Sequence, residues 1–330
     1  MQYREFGRTG TKVSEVGFGT WSMGSMWGAR DDKAATEALN LGLDFGINFF
    51  DTAYVYGDGH SEQLIGNVVR KRKVRDKVFI ATKVPPKDYH WPAKAGSDVQ
   101  KIFPASWIRE ITEKSLKNLA TDFVDLQQLH VWAANWLNQG DWLEELKKLQ
   151  REGKIRRFGI SINDHEPETA LEIVKSGLID SVQVIYNIFD QTPADKLLPL
   201  CREHKVGVIV RVPFDEGGLT GNLTPETKFE KKDWRRFYFK GDRLKETCDR
   251  VEKLKSFLNA EAKTTPELAL KYCLSHSAVS TVIPGMRKPD HVRSNCAVSD
   301  GTLLSEKTLT ALKRHTWPRN FYPNWEEEGV

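Results

Sequence analysis

Short, continuously apolar runs alternate along this chain with segments whose apolar residues recur at helical spacing. The runs cover residues 16–19, 47–50, 78–81, 123–129, 158–160, 181–186, 206–210 and 281–283. Unbroken apolarity, instead of strict alternation, suits strands covered on both faces, as in a parallel sheet. Between the runs, Ala35, Ala38, Leu39 and Leu43 make one helical stripe. Leu64, Ile65, Val68 and Val69 make another, with Ser61 as its candidate N-cap. Ser106 is expected to open a helix carrying Ile108, Ile111 and Leu119. A further stripe, Leu143, Leu146 and Leu149, stops at Gly153, a suitable C-terminal glycine. Pro167 suits a first helical position, and residues 197–200 and 268–273 add two more helical segments. Eight strands alternating with helices predict one (β/α)8 barrel, the TIM-barrel architecture, spanning 1–330 as a single domain in preference to a doubly wound sheet.

Three stretches break the rhythm. Residues 83–104, with Pro85, Pro86, Trp91 and Pro92, are expected to form a long loop after the third strand. Residues 217–243, rich in glycine and charge, are expected to form another after the seventh. The tail 317–325 is aromatic, with Trp317, Phe321, Tyr322 and Trp325. Ahead of the barrel, Gly7-Arg8-Thr9-Gly10 between two short segments signals an amino-terminal β-hairpin. Loops that follow strands sit on the active-site face of such a barrel, so the long ones are candidate pocket walls.

Composition narrows the picture. A length of 330 residues with ten tryptophans can fill one large core, and the net charge of +4 favours no polyanionic partner. Cys201, Cys248, Cys273 and Cys296 are too dispersed for a zinc cluster or a redox pair. The basic run at 70–77 has no aromatic platform, so it is expected to be a solvated turn at a helix end and not a nucleic-acid site. The amino terminus has no signal pattern and no run is long enough to span a bilayer, so a soluble, cytoplasmic protein is expected, with self-association left open.

The barrel makes a chemical prediction. Asp51 and Tyr56 follow the second strand, Lys83 the third and His130 the fourth. Neighbouring strands lie about 4.8 Å apart, so these four should converge. Lys83 would favour the tyrosinate form of Tyr56 and lower its pKa, Asp51 would hold Lys83, and His130 would bond a substrate oxygen. Such a set suits protonating a carbonyl oxygen as hydride reaches its carbon. Trp21, Tyr54, Trp91 and Trp132 are candidate pocket walls and point to an apolar or aromatic carbonyl substrate. Gly17 and Gly19 lack the third glycine of a dinucleotide fingerprint.

The order of these motifs resembles the aldo-keto reductase superfamily. Asp51-Thr52-Ala53-Tyr54-Val55-Tyr56-Gly57 is similar to its D-T-A-x-x-Y-G motif, and Ala81-Thr82-Lys83 and Leu129-His130 to its lysine and histidine positions. Residues 153–161, Gln183 with Tyr186-Asn187, and Ile283-Pro284-Gly285-Met286-Arg287 resemble later family segments. The resemblance implies NADPH-dependent reduction of an aldehyde or ketone with Tyr56 as proton donor. It implies Ser161 and Gln183 against the nicotinamide carboxamide, and Gly285, Arg287, His291 and Asn295 around the adenosine 2′-phosphate and adenine. Arg287 and Lys288 favour NADPH on charge grounds.

The chain departs from the family pattern at three places, one of them His291, where the adenine-side residue is often Gln or Glu. Ile162 follows Ser161, which puts Asn163 forward as a substitute carboxamide contact. Arg211, next to Pro213 in the cofactor region, stands where many members place an aromatic. It could stack on the nicotinamide, although a cation there disfavours NADP+. It could instead bind an anionic substrate group, or pair with Asp215 or Glu216. Lys231, Lys232, Arg235 and Arg236 are candidates to cover a diphosphate. The alternative readings are a cofactor-holding regulatory or interaction subunit of the same fold with little turnover, and a barrel lyase or isomerase using Lys83 as a Schiff base.

Overall fold

The computed structural model describes residues 1–24 and 27–322. Strands β1 (Tyr3–Glu5) and β2 (Lys12–Ser14) pair antiparallel as the amino-terminal hairpin. The eight predicted strands then appear as β3 (Phe18–Gly19), β4 (Phe49–Asp51), β5 (Phe79–Val84), β6 (Val124–Leu129), β7 (Ile155–Ser161), β8 (Ser181–Ile185), β9 (Gly207–Arg211) and β10 (Val279–Val282). They pair in sequence order, all parallel. Parallel bridges Val16–Val282 and Gly19–Gly285 join the first to the last and close the barrel. Closure needs glycine at 19, because a Cβ there would stand 2.5 Å from the Ile283 carbonyl oxygen.

The helical stripes become an outer ring. It runs α1 (Asp32–Asp44), α2 (His60–Arg72), α3 (Val99–Ile102), α4 (Ala105–Leu119), α5 (Trp142–Arg151), α6 (Leu171–Lys175), α7 (Leu197–Glu203), α8 (Arg235–Tyr238), α9 (Arg243–Leu254), α10 (Thr265–Leu274), α11 (Pro289–Ala297) and α12 (Glu306–Leu312). Gly153 follows α5 at φ +73°, as its sequence position implied. Ser61 is not the N-cap of α2. Gly59, at φ +86°, makes the turn into that helix, and Ser61 sits inside it with its hydroxyl turned inward. Pro167 opens a short 3-10 turn, Pro167–Ala170, ahead of α6.

Two apolar layers follow from the pleat. One set of strand residues packs outward under the helices; the other fills the barrel. Phe6, Val13, Phe49, Phe79, Ala81, Leu126, Ile209 and Ile283 form that inner cluster. Phe6 comes from the turn of the hairpin and stacks on Phe79 at 5.0 Å, so the hairpin plugs the barrel floor. Each buried phenylalanine contributes about 2–3 kcal/mol from lost water contact.

The basic run is less solvated than expected. Arg75 donates to Thr121 Oγ1, the Phe123 carbonyl and Asp125 Oδ2, and lies over the Phe123 ring at 3.9 Å. Trp325 of the aromatic tail lies outside the described residues. No helix among the described residues is long and apolar enough to cross a membrane.

Candidate active site

Strand pleating aims the four candidate residues at one point. On β4, Phe49 faces inward and Asp51, two residues on, faces inward one layer higher. On β5 the same alternation puts Phe79, Ala81 and Lys83 on the inner face. Lys83 therefore belongs to the strand itself and not to the loop beyond it. His130 follows β6 directly, and its backbone N–H donates to the Val84 carbonyl. Lys83 Nζ donates to Asp51 Oδ1 at 2.7 Å, to the Thr52 carbonyl at 2.7 Å and to the Tyr56 hydroxyl at 3.3 Å. The Tyr56 and His130 rings meet edge to face, with centroids 6.0 Å apart.

The electrostatics of this cluster follow from burial and from two charges. Lys83 is fully buried. Burial works against its charge, but Asp51 and Tyr56 outweigh it and hold the ammonium above its ordinary pKa. The expected lowering at Tyr56 is not the net result. Burial raises the phenol above its ordinary pKa, Lys83 pulls it down and Asp51 pushes it up, and the balance remains upward. His130 is held well below its ordinary value by burial and by the cations Lys83 and Arg211, so its imidazole is neutral. Among the described residues its Nδ1 has no hydrogen-bond partner. A neutral imidazole carries one N–H that can be donated to a carbonyl oxygen.

A second ring of residues fixes the first. Gln183, on β8, donates to Asp51 Oδ2 at 2.8 Å, so both carboxylate oxygens are occupied. Thr52 donates to Ser61, Ser61 to Thr20 and Thr20 to the Asp51 carbonyl, a buried chain of hydroxyls at 3.0, 2.7 and 2.8 Å. Thr82, pointing outward beside Lys83, donates to the buried Glu62 at 2.6 Å. Burial raises the Glu62 carboxyl above the usual range, against the bonds from Thr82 and Asn118. Glu62 and the hydroxyl chain carried no signal in the sequence beyond closeness to Tyr56.

Of the expected pocket walls, Trp91 reaches the cluster, its ring 5.8 Å from that of His130. Asn163 explains why its loop lies there. The Asn163 amide accepts from the Ala93 N–H and donates to the Ala93 carbonyl, both at 3.0 Å, and donates to Glu166. With both ends engaged, Asn163 is a staple between the loops after β5 and β7, not a free carboxamide contact. Trp132 is 1% exposed and packs edge-on against Trp136 and Trp142, so it belongs to the core and not to a wall. Tyr54 lies with its ring 5.8 Å from Lys114 of α4, on the outer side. Trp21 meets Trp27 edge to face and Trp234 at a tilt, with centroids 5.8 and 5.3 Å apart.

Arg211 ends β9 with its side chain reaching across the end of β8. It donates to the Ile162 carbonyl at 3.0 Å and to Asp164 Oδ1 at 2.7 Å, not to Asp215 or Glu216. Those acids are taken by the tail: Arg319 bonds Asp215 at 2.5 Å and the Tyr322 hydroxyl bonds Glu216 at 2.6 Å. Val212, Asp215, Glu216 and Gly217 all take positive φ around the buried Pro213. Three of the four are not glycine, and Val212 is β-branched, a strained backbone of the kind found at binding sites. Ser161 and Asn295 are buried, and Gly285 is exposed beside the end of β10. Among the described residues, a Cβ at Gly285 would meet only Ser22 Oγ, at 3.6 Å. Arg287 donates to the Trp27 carbonyl, and His291 sits below its ordinary pKa through burial and the cations Arg287 and Lys288. Arg235 is bidentate on Asp233 and covers the Trp27 ring at 4.3 Å, so its charge is already engaged.

The fold and this cluster define a barrel oxidoreductase with an acid, a phenol, an ammonium and an imidazole at its mouth. The model of the aldo/keto reductase family matches residues 15–316, and the chain belongs to that family. It is 31% identical over 310 residues to Aldo-keto reductase YhdN of Bacillus subtilis, covering 93% of this chain and 91% of that protein. It is 28% identical to the NADH-specific methylglyoxal reductase of Escherichia coli, covering 93% and 98%. The solved holo form of aldo-keto reductase AKR11C1 from Bacillus halodurans superposes with a TM-score of 0.75 at 30% identity, covering 96% of each chain.

Proposed function

We propose that this protein reduces an aldehyde or ketone to an alcohol with NADPH, and that Tyr56 is the acid. The observation that carries the reading is Lys83, fully buried and bonded at once to Asp51 and to the Tyr56 hydroxyl. A lysine in that position has no packing role that a methionine could not fill. It stabilises the charge that forms on Tyr56 when the phenol gives up its proton. Asp51, fixed by Gln183, keeps Lys83 in line. The neutral His130 donates its N–H to the substrate oxygen, and Trp91 beside it offers an apolar wall to the rest of the substrate.

The residues fit a nicotinamide dinucleotide. Ser161 ends β7 and pairs in register with Gln183, whose amide reaches Asp51, the strained turn after β9 offers backbone groups, and Gly285 leaves space by β10. The cofactor, when bound, supplies hydride. Arg287 and Lys288, at the start of α11, supply positive charge and a helix N-terminus for a 2′-phosphate, which favours NADPH over NADH.

The test is a fluorescence titration with NADPH and NADH, followed by a panel of aldehydes and ketones on wild type and Tyr56→Phe. Tighter NADPH binding, turnover by wild type and its loss in the variant with binding kept would support the reading. Tight binding without turnover on any carbonyl would favour a cofactor-holding subunit.

A further inference from the structure

We propose that Arg211 sets the preference between reduced and oxidised cofactor, biasing the site toward the reduced, uncharged ring. This rests on the nicotinamide reading above and deepens it.

The argument is one of charge and place. Arg211 is on the inward-facing row of β9, two residues beyond the inner-cluster residue Ile209. Its register neighbour is Ile185, while Ile209 pairs with Gln183, whose amide holds Asp51. The guanidinium therefore passes over the end of β8, one layer above the Gln183–Asp51–Lys83 network. Its two bonds, to the Ile162 carbonyl and Asp164, pull on Nη2 from the β7 side. Its Nε is buried and has no partner among the described residues. The cation is thus anchored from one side only, and its field reaches Tyr56 and His130.

A ring that delivers hydride to a carbonyl bonded to Tyr56 and His130 lies within that same field. Oxidised nicotinamide carries a positive charge and the dihydro form does not. Lys83 is already one buried cation, balanced by Asp51. Arg211, partly buried with its side chain 19% exposed, is a second cation, and an oxidised ring would be a third. Charges several ångströms apart at a protein's effective dielectric alter binding by about tenfold or more. The preference is adjustable, because Asp164 partly offsets Arg211.

The experiment measures dissociation constants for NADPH and NADP+ on wild type, Arg211→Met, Arg211→Lys and Asp164→Asn, by fluorescence and by competition. Wild type is expected to bind NADPH about tenfold or more tightly than NADP+. Arg211→Met narrows the ratio about tenfold, chiefly through tighter NADP+, a change of about 30 mV in the bound couple. Arg211→Lys keeps the preference, and Asp164→Asn widens it. Opposite shifts in the two neutralising variants cannot both come from damage to the fold. An unchanged ratio in Arg211→Met, or a shift of the same sign in Asp164→Asn, overturns the proposal while leaving the reductase reading intact. No binding of either form to wild type overturns both.

Discussion

As the proposed acid, Tyr56 has to keep its proton until a substrate needs it. Burial holds its pKa above the ordinary phenol value despite Lys83. An acid works only when protonated. The rate of carbonyl reduction should therefore stay level through neutral pH and fall only as pH rises past that raised pKa, while the reverse oxidation should rise there. A pH–rate profile that breaks in the neutral range would remove Tyr56 from the role. Lys83→Met tests the support. It strips a 2%-exposed Asp51 of its cation, so stability should fall by about 3–5 kcal/mol in urea titration. Turnover should fall about 10²-fold or more. Asp51, Lys83 and His130 were legible in the sequence because a strand end fixes where a side chain points. Asp164 was not, because its bond to Arg211 joins a loop to a strand end 47 residues away and follows no periodicity. The net pKa of Tyr56 was misread for a related reason: the sequence displays the nearby charge but not the depth of burial.

At the scale of elements, the loop after β9 and the tail act together. Glu216 is buried against Tyr322, and burial, offset by the Tyr322 hydroxyl and reinforced by Asp215, pushes its carboxyl up to about 8. The folded pKa lies above the unfolded one, so the native state binds the extra proton. Stability from this group is full below about pH 4.5 and is lost as pH rises to about 8. Glu216→Gln should abolish that loss, worth on the order of 4 kcal/mol. Melting of wild type and variant at pH 5 and pH 8.5 checks this, and a gap that does not grow with pH would contradict it. Arg319→Met, which leaves the buried Asp215 with the Tyr238 hydroxyl but without its cation, should cost about 3–5 kcal/mol at neutral pH. The sequence exposed the tail as aromatic and the loop as charged. It did not expose that they clamp each other, since Arg319 and Asp215 lie 104 residues apart.

At the scale of the molecule, the barrel was the most legible feature. Eight apolar runs with helical stripes between them leave few ways to bury every face. The boundaries shifted by a few residues because strand ends are set by pairing, which one segment alone does not display. Closure depends on small residues that the pattern does not flag. Gly159→Ala would put a Cβ 2.2 Å from Ser181 Oγ and 2.5 Å from its carbonyl. It should destabilise the protein by about 1–3 kcal/mol, read by urea titration.

The plug of Phe6 and Val13 has one more consequence. With the floor filled, a nucleotide and a carbonyl compound bound as proposed would both have to reach Lys83 from the mouth at the strand ends. The occupant nearer the floor has to arrive first and depart last. Enzyme kinetics should then obey a compulsory sequence, with the last product to leave competing against the first substrate to bind and the first product to leave competing against neither. A hairpin at the far end of the molecule would thus leave its mark on the order of events at the mouth.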